Sequence, residues 1–289
     1  MMILNIIAGL VCFMIGGVFG MIILAFFMLT GCMSSNINEN EMKESFSDEK
    51  VNQDNLTSSI QLTDRIYDTN QENVLFSPLS LNFVLGMVAS GANGKTKEEI
   101  TNYLNTTQFD QFAYEYLKQA DSNVDFKLEI ANGIFMDQKY SLKKDYQEKM
   151  EYLYEGKVEQ LDFQDKPAAT DYINKWVKKR THSMIPVAVT EEQLPKVGML
   201  VNTIFFDSLW KEKVTVFGTM KFQNLDGSIS YQEQLNGKGS KYYENDYATA
   251  FQMDYQHGFS FIGILPKTTG EFNLSDLHID DLLTKGNRE

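Results

Sequence analysis

Met199-Leu-Val-Asn-Thr-Ile-Phe-Phe206 is the stretch that most limits how this chain can fold. It is rich in β-branched and aromatic residues, and it is apolar at odd and even positions alike. As a strand it presents two apolar faces, and such a strand needs cover on both. The stretch therefore predicts a central strand held between helices and the rest of the core. Leu200, Asn202, Ile204 and Phe206 share one face, because successive side chains alternate. Asn202 is a lone amide in that apolar row. Phe126-Lys-Leu-Glu-Ile-Ala-Asn-Gly-Ile-Phe-Met136 alternates and predicts a second strand. There Phe126, Leu128, Ile130, Asn132 and Ile134 share a face, so Asn132 is a second buried amide that needs a partner.

One source of cover lies upstream, in Asn73-Val-Leu-Phe-Ser-Pro-Leu-Ser-Leu-Asn-Phe-Val-Leu-Gly-Met-Val-Ala-Ser-Gly91. Ser77 caps a helix, and Pro78 sits at its first position, where the missing N–H costs nothing. Leu79, Phe83 and Met87 recur at helical spacing while Val84, Leu85 and Val88 fill the other side, so this helix is buried. Its small residues, Gly86, Ala89, Ser90 and Gly91, let other backbone come close. Ser77 and Ser80 place two hydroxyls at its buried start. The expectation is one polar cluster of Ser77, Ser80, Asn132 and Asn202 under the central sheet. Strand ends or a water-filled pocket are the alternatives for the amides. Gly91-Ala-Asn-Gly94-Lys95-Thr96 is not a phosphate loop: Ala89 stands where that motif needs glycine, and the segment follows a helix rather than a strand.

The remaining pattern is mixed. Thr96 opens a capped helix, Phe109 to Lys118 is a short one, and Lys143 to Tyr154 is amphipathic. Val158 to Phe163 reads as a short strand. Ala168 to His182 is a long helix with Tyr172, Ile173, Trp176 and Val177 inward and Lys175, Lys178, Lys179 and Arg180 outward. Beyond Trp210 lie strand-like segments at Met220–Phe222, Tyr242–Asp254 and Phe259–Pro266, then a helix from Leu274 to Leu283. Strands and helices without strict alternation predict an α+β fold with more than one sheet.

The N-terminus is of another kind. Residues 1–33 are uncharged and almost wholly apolar, longer than the about 20 residues that span a bilayer. Leu29-Thr30-Gly31-Cys32 is similar to a bacterial lipobox, with Cys32 as the lipidated residue. An uncleaved anchor is the alternative, since no positive charge precedes Lys43. Residues 34–55 are polar and read as a flexible tether, leaving 56–289 as the folded body. Both readings attach the body to a membrane outside the cytoplasm. The only cysteines, Cys12 and Cys32, lie in the leader. A net charge of −13 argues against nucleic acid as a partner. His182, His257 and His278 are far apart, no Gly-x-Ser-x-Gly elbow is present, and the acidic pairs Glu98-Glu99, Glu191-Glu192 and Asp280-Asp281 are adjacent and diverge. No catalytic residue, metal site or cofactor is expected, so the chain is not read as an enzyme.

Asn73-Val-Leu-Phe-Ser-Pro-Leu-Ser-Leu followed by Gly91-Ala-Asn-Gly-Lys-Thr-Lys-Glu-Glu-Ile100 resembles the N-terminal signature of the serpins. Ile130-Ala-Asn-Gly-Ile-Phe135, Asp171-Tyr-Ile-Asn-Lys-Trp-Val177 and Leu200-Val-Asn-Thr-Ile-Phe-Phe206 with Trp210 agree with the family in order and rough spacing. The resemblance runs from about Leu56 onward. It implies a serpin-like multi-helix domain with a large central sheet and a second sheet. It also implies inhibition of serine or cysteine proteases: the protease cuts an exposed loop, is held as an acyl-enzyme, and is distorted as the loop enters the central sheet as a new strand. By the same resemblance Ser77, Ser80, Asn132 and Asn202 form the shutter at which the sheet parts, with Trp176 and Trp210 as packing anchors. Asp207-Ser208 and His182-Ser-Met depart from the family pattern and put local loop geometry in question. The reactive loop and last strands find no counterpart after Pro266, so the expectation is a C-terminally incomplete serpin. Such a chain is expected not to inhibit as it stands and to aggregate, although the family is monomeric. A non-inhibitory binding or structural lipoprotein at the cell surface is the alternative.

Overall fold

The computed structural model describes residues 6–9, 59–61, 63, 75, 77–106, 108–119, 126–224, 227–268, 273–285 and 287–288. It divides into two units, Met1–Met14 with Leu75–Ser208, and Ile15–Val74 with Leu209–Glu289.

The first unit is built on the strand that is apolar on both faces. β1 (Ile6–Gly9), β2 (Phe126–Asp137), β3 (Lys157–Leu161) and β4 (Gly198–Ser208) form a four-stranded sheet in the order β1-β4-β2-β3. β2 and β4 are antiparallel and paired from Phe126 with Ser208 to Met136 with Gly198. β3 runs parallel to β2, and β1 runs antiparallel to β4 from Ile204 to Asp207. β1 lies along the far end of β4, where an unpaired row of N–H and C=O groups is a template for another strand. Between Gly198 and Thr203 that side of β4 carries no strand among the described residues.

Cover comes from both sides, as two apolar faces require. On the face of Asn132 and Asn202 lie α1 (Pro78–Gly91), α2 (Gly94–Leu104), α3 (Phe109–Gln119) and α4 (Lys144–Leu153). Phe83 and Met87 of α1 are sealed, and the Phe83 ring meets Phe109, Tyr116 and Tyr154 edge-on at 6.0, 6.2 and 6.3 Å. α1 packs this closely because Gly86 faces α3: a Cβ there would meet the Phe109 ring at 2.2 Å. On the other face α5 (Lys166–Arg180) and the segment after it bury Phe135, Phe163, Ile173, Trp176, Val177, Ile185, Val189 and Leu194 against Ala131, Met199 and Val201. Tyr172, expected inward, is 37% exposed, its hydroxyl 3.3 Å from Lys157 Nζ at the rim. α1 and α2 meet in a corner at Ala92–Asn93, and α2 starts at Gly94 rather than Thr96. Gly94 takes φ +59, a conformation that L side chains rarely adopt.

The second unit holds a sheet of β7 (Lys241–Glu244), β8 (Ala248–Asp254), β9 (Ser260–Pro266) and β10 (Asn287–Arg288) in the order β10-β7-β8-β9, and a separate ribbon of β5 (Thr215–Gln223) and β6 (Ile229–Asn236). Tyr242–Asp254 is two strands rather than one. Asn245 Oδ1 accepts from the N–H groups of Tyr247 and Ala248 and turns the chain between them. Leu274–Leu283 is not one helix: a short 3₁₀ turn, Leu274–Leu277, and α6 (Ile279–Lys285) are separated by His278 at φ +47. No closing strand was expected at the end, yet β10 pairs with β7. Tyr243, Ala248, Ala250, Ile262, Ile264, Leu274, Leu277, Ile279 and Leu282 form this unit's core, and Ile60 joins it.

The leader and tether expected over 1–33 and 34–55 lie outside the described residues, apart from Ile6–Gly9, which is extended. Cys32 is among those not described. Of the described residues, no helix is long and apolar enough to cross a membrane.

Candidate functional site

β2 and β4 place Asn132 directly opposite Asn202 in the middle of their ladder. Both amides are buried, 1% and 3% exposed. Asn202 Nδ2 donates to Asn132 Oδ1 at 2.8 Å, and Asn132 Nδ2 donates to the backbone carbonyl of Tyr154 at 2.6 Å. The register dictates the first bond, since opposed residues on one face of an antiparallel pair stand within side-chain reach. A row of three acceptors and donors thus crosses an apolar layer. Asn202 Oδ1 ends the row, buried and without a partner among the described residues. An acceptor left so costs about 1–3 kcal/mol, and such a group in a native fold calls for an explanation.

Ser77 and Ser80 stand at the start of α1. Ser77 is the N-cap, its Oγ accepting from the Ser80 N–H at 3.2 Å, and Pro78 follows. Ser80 is fully buried. The structure therefore joins the two amides to each other and the two serines to each other. Trp176 is buried on the opposite face, edge-on to Phe135 at 5.5 Å, with the Arg180 guanidinium 5.8 Å from its ring. Its Nε1 has no partner among the described residues. Trp210, in the second unit, stacks on Tyr255 at 4.0 Å and meets Phe261 edge-on at 6.1 Å. Trp176 belongs to the core on the α5 face, whereas Trp210 is half-buried and lies outside the core of its own unit.

One residue of the site carried no mark in the sequence: Tyr154 closes an amphipathic helix, and nothing in the pattern singles out its carbonyl. Asn82 in α1 and Thr203 in β4 are further buried polar residues, Thr203 on the face opposite Asn202. A polar residue inside an otherwise apolar run was the available signal for both. Among the described residues no group of three or more His, Cys, Asp or Glu side chains is placed to hold a metal ion. His182 Nε2 is 3.0 Å from Glu129, and its ring lies over Phe205.

Residues 53–285 match the family model Serpin (serine protease inhibitor). Serpin-ZX of Arabidopsis thaliana is 29% identical over 239 residues, covering 75% of this chain and 58% of that protein. Serpin-Z7 of Hordeum vulgare is 30% identical over 216 residues, covering 68% and 54%. Human Neuroserpin is 28% identical over 175 residues, covering 57% and 42%. The chain spans about half the length of the curated relatives it matches. Arabidopsis AtSerpin1 in its native stressed conformation superposes with a TM-score of 0.74 at 24% identity, covering 85% of this chain and 68% of that one. The thermophilic serpin tengpin in its latent state gives 0.73 at 25% identity, covering 85% and 69%. The likeness to AtSerpin1 is one of fold.

Proposed function

The chain belongs to the serpin family, and from that premise we propose that it carries the sheet and shutter of a serine-type endopeptidase inhibitor. In such an inhibitor a cut loop enters the central sheet as a new strand, trading a strained state for backbone hydrogen bonds and burial. The observation that carries the reading is the Asn132–Asn202 pair, a polar seam through the middle of an otherwise apolar sheet. Two features support it. Asn202 Oδ1 has acceptor capacity in hand, and β4 between Gly198 and Thr203 has an unpaired side among the described residues. Ser77 and Ser80 complete the seam in this reading, by direct or single-water bridges.

The test is to join the chain to the reactive loop and last strands of a serpin and incubate the product with a panel of serine and papain-like cysteine endopeptidases. An inhibitor titrates the protease and yields an adduct that survives boiling in detergent, because the acyl bond persists. A binding or structural protein on the same scaffold leaves the protease active and forms no adduct. The same reading holds the body outside the cytoplasm and attached to a membrane through Cys32. Cys32→Ser should abolish lipid labelling, and unchanged labelling would sink that part of it.

A further inference from the structure

Asn132 is held by the backbone carbonyl of Tyr154, and the phenol of that same residue is held by something else. Asp110, in the first turn of α3, accepts from the Tyr154 hydroxyl at 2.7 Å. It also accepts from Ser90 Oγ of α1 and pairs with Lys149 Nζ of α4. Tyr146 of α4 donates to the Met87 carbonyl of α1 at 2.9 Å, so the three helices are tied at one place. Asp110 is about one-third exposed, whereas Tyr154 is sealed. The polar chain therefore runs inward from solvent: Lys149, Asp110, Tyr154, Asn132, Asn202.

Tyr154 suits the middle of such a chain. Its ring meets Phe83 edge-on, and Gly86 leaves only enough space for its hydroxyl, which would lie 2.8 Å from an added Cβ. A ring fixed at its tip and packed along its side cannot shift without its backbone shifting too, since only two torsions separate them. Burial pushes the Asp110 carboxyl up, but the hydrogen bonds from Lys149, Ser90 and Tyr154 and the Lys149 charge outweigh it, leaving it below its ordinary value. The carboxylate is thus the form that the surrounding donors hold.

We propose that Asp110 is a positioning residue for the amide pair: through the Tyr154 hydroxyl it fixes the carbonyl that holds Asn132, and so the register contact with Asn202. The helical layer and the central strand pair are then held as one unit. This inference rests on the reading above, that the amide pair is the polar seam of a sheet that takes in a strand on the unpaired side of β4.

Deuterium exchange on the full chain tests it. Asp110→Asn and Tyr154→Phe are each expected to speed exchange at 130–134 and 200–204 by about tenfold, the scale of losing a buried hydrogen bond to a charged partner. Because both cut the same chain, the double variant should exchange no faster than either single one. Strands β8 and β9 should be unchanged. An increase confined to the helices, or single effects that multiply in the double variant, overturns the inference and leaves Asp110 as a helix fastener. If Asp110→Asn does not fold, Ser90→Ala removes one donor to the carboxylate and is held to the same expectation at reduced size. Asn202→Leu separates the two readings. If it leaves 130–134 unchanged, the amide-pair reading fails; if it speeds them and Asp110→Asn does not, only the positioning role fails.

Discussion

Two antiparallel pairs in this molecule are built on the same ladder and differ almost completely in burial. β2 and β4 enclose Ile134, Phe135, Phe205 and Phe206, all buried. β5 and β6 pair from Thr215 with Asn236 to Gln223 with Ile229, yet Phe217 is 73% exposed, and Val216, Met220, Ile229, Tyr231 and Leu235 are exposed as well. Backbone pairing is common to both, so it cannot be what makes one pair a core. The difference is the layer above and below. A two-stranded ribbon in water is marginal by itself, whereas strands packed against helices are not. Polar residues follow the same rule. Asn132 and Asn202 need each other because both are buried, while Gln232 and Gln234 sit exposed on β6 where water can serve them. The ribbon is also irregular. Its register shifts between Val216 and Gly218, leaving Phe217 as an extra residue, and Gly218 takes φ +131.

The largest effect should come from hollowing the covered pair. Phe135 packs against Trp176 and is sealed, so Phe135→Ala should cost about 3–5 kcal/mol. The measurement is the shift of the urea midpoint at unchanged slope. A loss under about 1 kcal/mol would mean that the α5 face is not a core. Next comes Asn202→Leu. It leaves Asn132 Oδ1 without its donor, at about 1–3 kcal/mol. Removing the unpartnered Asn202 Oδ1 offsets part of that, so the lower half of the range is expected. Gln232→Leu, the equivalent change on the ribbon, should stay within about 0.5 kcal/mol. Equal losses for the two would break the comparison.

What the sequence made legible follows from where the information sits. Strand 199–206 was legible because a double apolar face has few solutions. The amide pair was legible because each asparagine interrupts an apolar row on a strand whose period is known. The Tyr154 carbonyl was not, since every residue has one and only the fold chooses which is used. Asp110 was hidden for a similar reason. Its partners Ser90, Lys149 and Tyr154 come from elements far apart in the chain. β6 was missed although Ile229, Tyr231 and Leu235 alternate with Ser230, Gln232 and Gln234: Glu233 breaks the apolar row, and the ribbon buries neither face. The break at His278 and the turn at Asn245 were missed because single residues set them, within segments whose apolar pattern continues.

A third prediction concerns acid. The folded Asp110 carboxyl lies below its ordinary value. Its contribution is therefore complete above the unfolded carboxyl value of about 3.9 and is lost as pH falls through the folded value. Wild type and Asp110→Asn should differ in stability at neutral pH and converge in the acid limb. Protection from exchange at β2 and β4, taken relative to the intrinsic amide rate at each pH, should fall with that loss, while that of β5 and β6 should not follow it. A gap between wild type and variant that does not narrow below about pH 4 would remove the charge from the argument and leave only packing.

The smallest effect is expected at the most exposed aromatic. Phe217→Ser removes a large apolar side chain that is 73% exposed and belongs to the extra residue of a bulge. On burial alone it should change stability by less than about 0.5 kcal/mol, the scale of surface substitutions away from special features. The measurement is a pair of urea midpoints at two protein concentrations at least about tenfold apart. Equal midpoints for wild type and variant at both concentrations mean that the ribbon is solvated and the comparison stands. A loss that appears only at the higher concentration means that wild-type Phe217, Met220 and Tyr231 are covered by a second copy. Stability then follows mass action, and the exposed apolar patch is an association surface of the kind such patches mark. A loss that is the same at both concentrations means that cover comes from within the chain. In that case the two strand pairs differ in when they are buried, not in whether they are.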